Sequence, residues 1–184
     1  MDDGRTLFDR FLAGDDSAFD EILNAYRVPL IRFLDGYLRD VDAAEDLAAD
    51  CFAFLLAHPK KYDGRASLKT YLFTLGRSRA LDLLRRRRKF PTVDPEDVKD
   101  VLPYDGPTPE EEVFRHETAE KVNAAVNALP DAERMAVRLV YFEGLSYKEA
   151  GRVLGKSAKQ TDNLLVSAKK RLKKLLEAEG RELL

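Results

Sequence analysis

The sequence predicts an all-α protein built from two small helical domains, and three observations lead to this prediction. Apolar residues recur at helical spacing in several segments, and no segment shows the alternating pattern of a strand. Proline and glycine cluster between residues 90 and 108, where helical periodicity is lost. Helix-capping patterns recur after that cluster. The 184 residues therefore divide into two helical parts around a linker.

The first part, residues 1–90, carries three predicted helices. One spans residues 17–38, with an apolar stripe along its whole length. The second begins with Asp42 as its N-cap residue, and the third covers residues 67–89. We expect these helices to form a three-helix bundle, followed by an acidic linker over residues 91–108.

The second part, residues 109–184, is predicted to contain four helices with capping residues at their starts. These capping residues are Thr108, Asp131, Ser146 and Ser157. A three-residue turn joins the last two helices, and the second of them is basic, which is typical of a helix-turn-helix. Gly151 would let the two helices approach closely, and Gly155 would permit the turn. A packed helix pair without DNA affinity is the alternative interpretation.

Charge is arranged in alternating blocks, although the net charge of the chain is only −2. Residues 60–89 hold eleven basic residues against two acids, and residues 156–174 hold seven against one. Residues 1–50 and 91–120 each have a net charge of −8. Such blocks indicate two polyanion-binding surfaces separated by acidic segments that bind something else. Solvated charged faces are the alternative.

Composition excludes several other classes of protein. The longest apolar run, residues 51–57, is far too short to span a bilayer, and the acidic amino terminus does not resemble a signal peptide. The single cysteine, Cys51, allows no internal disulfide, so we expect a cytoplasmic protein without membrane insertion. Neither His58 nor His116 has a partner at metal-binding spacing. We expect no metal, no cofactor and no catalytic residues.

Three segments resemble the motifs of one protein family, in that family's order. Residues 42–52 read DAAEDLAADCF, which is similar to D-A-E-D-L-x-Q-E-x-F. Residues 67–86 resemble F-x-x-W-L-x-x-I-A-R-N-x-x-x-D-x-x-R, and residues 129–149 resemble L-P-x-x-x-R followed by G-x-S-Y-x-E. On these motifs the chain resembles the bacterial RNA polymerase sigma factors of the sigma-70 family, extracytoplasmic-function type.

The resemblance implies a role for each part of the chain. Residues 1–90 would be sigma region 2, which binds the β′ clamp helices of core RNA polymerase and the minus-ten promoter element. Residues 109–184 would be sigma region 4, which binds the β flap and the minus-thirty-five element. The linker, residues 91–108, would thread a basic channel of the polymerase, a disordered spacer being the alternative. An anti-sigma factor wedged between the two domains is a further implied partner.

Site residues in the first part follow from the same motifs and from the loop at residues 60–66, which resembles the family's site for melted minus-ten DNA. Core polymerase contact is expected from Asp42, Glu45, Asp46, Asp50 and Phe52. Contact with minus-ten DNA is expected from Lys60, Lys61, Tyr62, Arg65, Lys69, Arg77, Ser78, Arg79, Asp82, Arg85 and Arg86. Tyr62 and Tyr71 would stack on unpaired bases, with a core role as the alternative for Tyr71.

Site residues in the second part lie on the helix-turn-helix. Contact with minus-thirty-five DNA is expected from Tyr147, Lys148, Ser157, Lys159, Gln160, Asn163 and Lys169. Asp162 and Leu164 occupy positions that are often basic in the family. Base reading is therefore expected from Lys159, Gln160 and Asn163 at the amino end of the recognition helix.

Two other classes of function fit part of the pattern. A stand-alone helix-turn-helix transcriptional regulator would use only the second part and would bind duplex DNA without polymerase. A helical nucleic-acid enzyme is disfavoured, because no acidic or metal-binding cluster accompanies the basic helices.

Overall fold

A computed structural model describes residues 3–89 and 121–181 of the chain. Every regular element within these two ranges is a helix, as the sequence predicts. The predicted linker over residues 91–108 and the predicted helix start after Thr108 lie outside the described residues. We refer to residues 3–89 as the first half and to residues 121–181 as the second half.

The first half contains four helices rather than the three predicted. They are α1 (Asp3–Leu12), α2 (Ser17–Leu38), α3 (Val41–Ala57) and α4 (Leu68–Lys89), with a short 3-10 turn at Pro59–Lys61. Sequence reasoning missed α1, which is only ten residues long. Its Phe8 is buried and packs edge-on against Tyr62. Because a helix of this length is marginally stable by itself, such tertiary contacts stabilise α1.

The core of the first half forms around α2. Phe33 of α2 and Phe73 of α4 are fully buried, with ring centroids 4.9 Å apart. Gly76 brings α4 close to α2, because a Cβ atom there would lie 3.1 Å from Leu30 Cδ1 and 3.2 Å from Leu34 Cδ2. This close packing fixes α4 against the bundle and leaves its other faces to carry charge.

Helix α3 begins earlier than the capping pattern predicts. The N-cap residue is Asp40, whose side chain accepts a hydrogen bond from the Ala43 N–H at 3.0 Å, so the prediction of Asp42 was wrong. Asp42 lies in the first turn of α3 instead. The preceding residue, Arg39, adopts the left-handed conformation with φ 51°, which ends α2 and leaves only a short connection. The chain therefore reverses direction between α2 and α3 within two residues.

The second half follows the predicted order of helices. They are α5, described over residues 121–127, α6 (Asp131–Val137), a π-helical turn (Arg138–Phe142), α7 (Tyr147–Leu154) and α8 (Ala158–Arg181). Asp131 does not cap α6, because Pro130 occupies the N-cap position and Asp131 pairs with Arg134 at 2.7 Å. The prediction of Asp131 as N-cap was therefore wrong.

The helix-turn-helix of α7 and α8 is confirmed. Ser146 and Glu149 form a complete capping box at the start of α7. The turn at Gly155 has φ 66°, which glycine adopts without the Cβ strain of other residues. A Cβ atom at Gly151 would lie 2.7 Å from the Lys156 carbonyl oxygen, so glycine is also needed for the close approach of the two helices.

The two halves pack against each other. Helix α6 lies against α2, and α7 lies against α4. Buried residues of both halves belong to one continuous hydrophobic core, which includes Leu72 on one side and Val153 on the other. This arrangement brings the second half against one face of the basic helix α4.

Candidate functional site

The outer face of α3 is acidic. Its four predicted polymerase-contacting acids are all exposed: Asp42, Glu45, Asp46 and Asp50. Three of them, Asp42, Asp46 and Asp50, recur at a spacing of four and therefore share one face of the helix. Asp50 is also 3.9 Å from Arg79 of α4. The structure thus brings these acids together as a continuous surface, which we call the acidic face.

Phe52 lies away from the acidic face. Its side chain is only 3% exposed and belongs to the core, as do Ala44, Ala48 and Cys51 on the same inner side of α3. The prediction that Phe52 contacts polymerase therefore finds no support in this structure. Burial also raises the pKa of the Cys51 thiol to about 11, so the thiol stays protonated and unreactive.

The carboxy-terminal end of α4 exposes a row of basic side chains. A shallow depression of about 400 Å³ is lined by Asp82, Arg85, Arg86, Arg88 and Lys89. Asp82 pairs with Arg85 at 2.7 Å. The neighbouring Arg87 instead pairs with Asp40 at 2.9 Å and ties this end of α4 to the start of α3. The exposed cations Arg85, Arg86, Arg88 and Lys89 form a row of positive charge that is suited to nucleic-acid phosphates.

Arg79 joins the basic helix to the acidic face. Its guanidinium lies 5.0 Å from the ring centroid of Phe54 and 3.9 Å from the Asp50 carboxylate, both on α3. Ser78, beside it, is exposed. The two contacts turn the Arg79 guanidinium towards α3.

Tyr62 is buried, unlike the lysines that precede it. Its hydroxyl donates to the Ala66 carbonyl oxygen at 2.8 Å, and its ring centroid is 5.0 Å from that of Phe8 and 5.2 Å from that of Tyr71. Stacking of Tyr62 on a DNA base would require it to leave this cluster, so the structure favours a core role. The exposed side chains of this loop are Lys60, Lys61, Asp63 and Arg65, and Asp63 pairs with Arg65 at 3.4 Å.

Lys69 and Arg77 of α4 face the second half. Lys69 Nζ lies 2.8 Å from Glu143 Oε2. Arg77 forms a hydrogen bond with the Tyr37 hydroxyl, while its Nε atom is buried without a hydrogen-bond partner. A Cβ atom at Gly155, in the turn before α8, would lie 3.9 Å from Arg77 Nη1. Lys69 is therefore paired with a residue of the second half, and Arg77 lies near the turn between α7 and α8.

The amino end of α8 presents the predicted base-reading residues. Lys159, Gln160 and Asn163 are exposed. Gln160 also completes a capping box, because its Oε1 accepts from the Ser157 N–H at 2.8 Å and its own N–H donates to Ser157 Oγ at 3.1 Å. Lys159 pairs with Asp162 at 3.2 Å. Lys159 and the Gln160 amide oxygen thus each have a partner within the protein, and Asn163 is exposed beside them.

An aromatic residue next to this surface was missed by sequence reasoning. Tyr141 is half exposed, and Lys169 Nζ lies 5.5 Å from its ring centroid. A hydrogen bond from Lys169 to the Tyr141 hydroxyl raises the pKa of Lys169, and Tyr147 adds to this effect. The signal in the sequence is that Tyr141 and Phe142 are adjacent. Neighbouring side chains of a helix point in different directions, so one packed face rarely buries both rings.

The described residues lack two other kinds of site. No helix within residues 3–89 and 121–181 is long and apolar enough to cross a membrane. Within the same ranges, no three His, Cys, Asp or Glu side chains form a group that could hold a metal ion.

Comparison with known proteins decides the family. The model of sigma-70 region 2 matches residues 22–90, and the model of sigma-70, region 4 matches residues 119–172. The ECF RNA polymerase sigma factor SigM of Bacillus subtilis is 30% identical over 156 residues, which cover 85% of this chain and 93% of SigM. The chain belongs to the extracytoplasmic-function sigma factors of the sigma-70 family. The resemblance drawn from its motifs is thereby confirmed.

Further relatives of this sigma factor agree in sequence and in fold. The ECF RNA polymerase sigma factor EcfG of Rhodopseudomonas palustris is 30% identical over 169 residues, covering 91% of this chain and 89% of EcfG. The solved structure of CnrH in complex with the cytosolic domain of CnrY matches with a TM-score of 0.66 at 23% identity, covering 95% of this chain and 97% of that one. The sigma factor RpoE of Bartonella quintana, solved with the anti-sigma factor NepR, matches with a TM-score of 0.68 at 23% identity, covering 86% and 96%.

Proposed function

We propose that this sigma factor binds polymerase and promoter DNA through three charged surfaces. They are the acidic face of α3, the basic helix α4 and the exposed amino end of α8. In this scheme residues 1–90 act as region 2, residues 91–108 as the linker and residues 109–184 as region 4. The observation that supports the scheme best is the separation of charge, with acids on one helix and cations on two others. A sigma factor needs this separation, because it must bind a protein and a polyanion at once.

The acidic face is the proposed site for the β′ clamp helices of core RNA polymerase. Its four carboxylates are exposed, and basic residues of a partner would meet them without burying an unpaired charge. Phe52 and the inner side of α3 support this surface from below by packing in the core. Helix α3 thus presents its acids from a rigid base. We assign the β flap to the second half on the family resemblance alone.

Replacing Asp46 with lysine tests the acidic face. We expect Asp46→Lys to abolish co-migration with core polymerase on a sizing column, because it places a cation in the middle of the carboxylates. Asp20→Lys, an identical change at an exposed position of α2, should leave association unchanged. Undiminished association of Asp46→Lys, with an unchanged circular dichroism spectrum, would contradict the proposed surface. Binding of duplex DNA without polymerase would favour the stand-alone regulator.

The basic helix α4 is the proposed site for melted minus-ten DNA. Lys60, Lys61 and Arg65 line the preceding loop, and Arg85 and Arg86 lie at the far end of the helix. These five side chains are exposed and bracket the helix, so they would follow the phosphates of a single strand without selecting bases. Between them lie Lys69, Arg77, Ser78 and Arg79, of which Ser78 is exposed and the other three are half-buried.

The amino end of α8 is the proposed reader of the minus-thirty-five element. Asn163 is exposed one turn into the recognition helix, and a side-chain amide can form two hydrogen bonds with one adenine edge. Lys159 and Lys169 are both exposed on α8, and lysine side chains commonly contact phosphates. Tyr147 and Lys148 begin α7 and are also exposed.

Asn163→Ala tests this assignment. We expect the loss of about 1–3 kcal/mol at one promoter position, measured as binding of holoenzyme to a set of promoters with single base changes. Lys169→Ala should weaken binding equally on all of them, because it removes a phosphate contact. An equal loss on every sequence for Asn163→Ala would mean that Asn163 contacts phosphate instead.

The same proposal includes an anti-sigma partner and a location in the cytoplasm. The sigma factor RpoE is bound by the anti-sigma factor NepR in its solved complex, which supports an anti-sigma partner for this chain. A sigma factor acts where polymerase and the chromosome are, which supports the cytoplasm as its location. A chain that initiates transcription in this way contributes recognition and strand opening to an enzyme and has no reaction of its own.

A further inference from the structure

A buried carboxylate of α6 binds the recognition helix α8. Glu133 is buried, and its Oε1 atom accepts a hydrogen bond from Ser167 Oγ at 2.8 Å. Arg171 Nε donates to the same oxygen at 3.2 Å and lies 3.1 Å from Glu133 Oε2. Ser167 and Arg171 are four residues apart and therefore share one face of α8. We call the contacts of Glu133 with Ser167 and Arg171 the Glu133 bridge.

The buried carboxylate depends on Arg171 for its opposite charge. The Glu133 side chain is 9% exposed, whereas that of Arg171 is 56% exposed. Among the described residues, Glu133 Oε2 is buried without a hydrogen-bond partner, so the nearby guanidinium is what compensates its charge. A buried carboxylate is strongly disfavoured once its partner cation is removed. Loss of the Arg171 charge is therefore expected to draw Glu133 towards water and to break the bridge.

Helix α6 gives the bridge a fixed base. The residue after Glu133 is Arg134, which donates to the carbonyl oxygens of Leu129 and Gly36, each at 3.1 Å. Met135 follows and is fully buried. Helix α6 is thus held on other sides by hydrogen bonds and by the core. Because α6 cannot turn freely about its own axis, Glu133 meets α8 in one place.

The bridge acts on the row of α8 that carries Asn163. Asn163 precedes Ser167 by four residues, as Ser167 precedes Arg171, so the three side chains follow one another along α8. Four residues of a helix rise by about 6 Å. Apolar packing has little directional preference, whereas hydrogen bonds weaken steeply when they are misaligned. The bridge therefore fixes the rotation of α8 about its axis and, with it, the direction of Asn163.

We infer that Glu133 is a positioning residue for the reading of the minus-thirty-five element. The inference rests on the proposed function of Asn163 and adds a residue that acts on it through α8. A side-chain amide must form two hydrogen bonds at once with an adenine edge, so a small rotation of α8 weakens both. Lysines that contact phosphates have flexible stems and tolerate such a rotation. Base reading therefore depends on the bridge, and phosphate binding does not.

Breaking the bridge from either side tests the inference. The measurement is the binding of holoenzyme to four promoters that differ only in the base at the position read by Asn163. We expect Glu133→Leu and Arg171→Gln each to lower the ratio of binding to the preferred base over the other bases by at least about threefold. Lys173→Gln is the matched control for Arg171→Gln, because it removes the same charge from a side chain that pairs with Glu177 instead.

Two further variants distinguish positioning from stability. Arg171→Lys keeps a cation beside the carboxylate and should retain most of the discrimination between bases. In the Asn163→Ala background, Glu133→Leu should cause no further loss of discrimination, because the reading side chain is already absent. A contribution to stability alone would lower binding to all four promoters equally. Arg171 is exposed, so Arg171→Gln keeps the test available if Glu133→Leu fails to fold.

The outcomes separate the inference from the function on which it rests. If Asn163→Ala lowers the ratio but Glu133→Leu and Arg171→Gln leave it unchanged, the positioning role is overturned and reading by Asn163 stands. Additive losses in the double variant would mean that Glu133 acts through another side chain, and they would also overturn the positioning of Asn163. A ratio that Asn163→Ala does not change would overturn reading by Asn163 and the positioning role with it.

Discussion

At the scale of single residues, burial separates the side chains that build this sigma factor from those that meet its partners. Phe52 and Tyr62 both lie within segments that resemble binding segments of the family, yet the structure buries both. Their neighbours Asp50 and Lys61 are exposed. A motif is thus a mixture of packing and contact residues, and only the direction of each side chain tells them apart.

We expect Phe52→Ala to lower the free energy of unfolding by about 3–5 kcal/mol, because it removes a fully packed ring from the core. Urea unfolding followed by circular dichroism measures this loss. The control is Phe142→Ala, the same change at a ring that is 54% exposed, which should cost far less. Equal stability of Phe52→Ala and the wild type, together with weaker polymerase binding, would restore Phe52 as a contact residue.

At the scale of elements, local chemistry sets most helix boundaries. The capping boxes at Ser146 and Ser157 could be read from the sequence because each uses residues three apart in the chain. Two starts were misjudged where competing residues were close: Asp40 caps α3 in place of Asp42, and Asp131 pairs with Arg134. Helix α1 has little local signal, and contacts distant in sequence hold it.

The cap of α3 should make stability depend on pH. The Ala43 N–H and Arg87 hold the pKa of Asp40 below its ordinary value of 3.8. A carboxylate with a lowered pKa stabilises the fold above the unfolded pKa, and this contribution is lost as the pH falls through the folded pKa. We therefore expect Asp40→Asn, which keeps a capping side chain without the charge, to unfold with a shallower pH dependence below about pH 5. Melting temperatures of both proteins measured across that pH range test this prediction. If the melting temperatures of the variant and the wild type fell equally with pH, the proposed role of the Asp40 charge would be contradicted.

At the scale of the whole molecule, the sequence predicted the order of parts but not their closure. Charge blocks and capping patterns are local properties, so they placed the acidic face, the basic helix and the helix-turn-helix correctly along the chain. The contacts of Lys69 with Glu143 and of Arg134 with Gly36 join residues 74 and 98 positions apart. No pattern within either motif encodes such a pair, which is why Lys69 was assigned to DNA alone.

The shared core predicts that both halves unfold together. We expect hydrogen exchange with mass spectrometry to show α2 and α8 losing protection at the same urea concentration, because separating the halves exposes the buried Met135 and Arg134 and the half-buried Arg138. Glu143→Gln should let α8 lose protection first. Loss of α8 protection before α2 in the wild type would show that the halves are independent.

The buried thiol of Cys51 can report local opening of α3. A thiol that is enclosed and protonated reacts with alkylating reagents only when α3 detaches from the bundle, so its rate of modification measures how often α3 opens. The acidic face is on the opposite side of the same helix. A polymerase bound to that face would suppress the opening of α3 and slow the alkylation of Cys51. The alkylation rate would therefore report polymerase binding without an attached label.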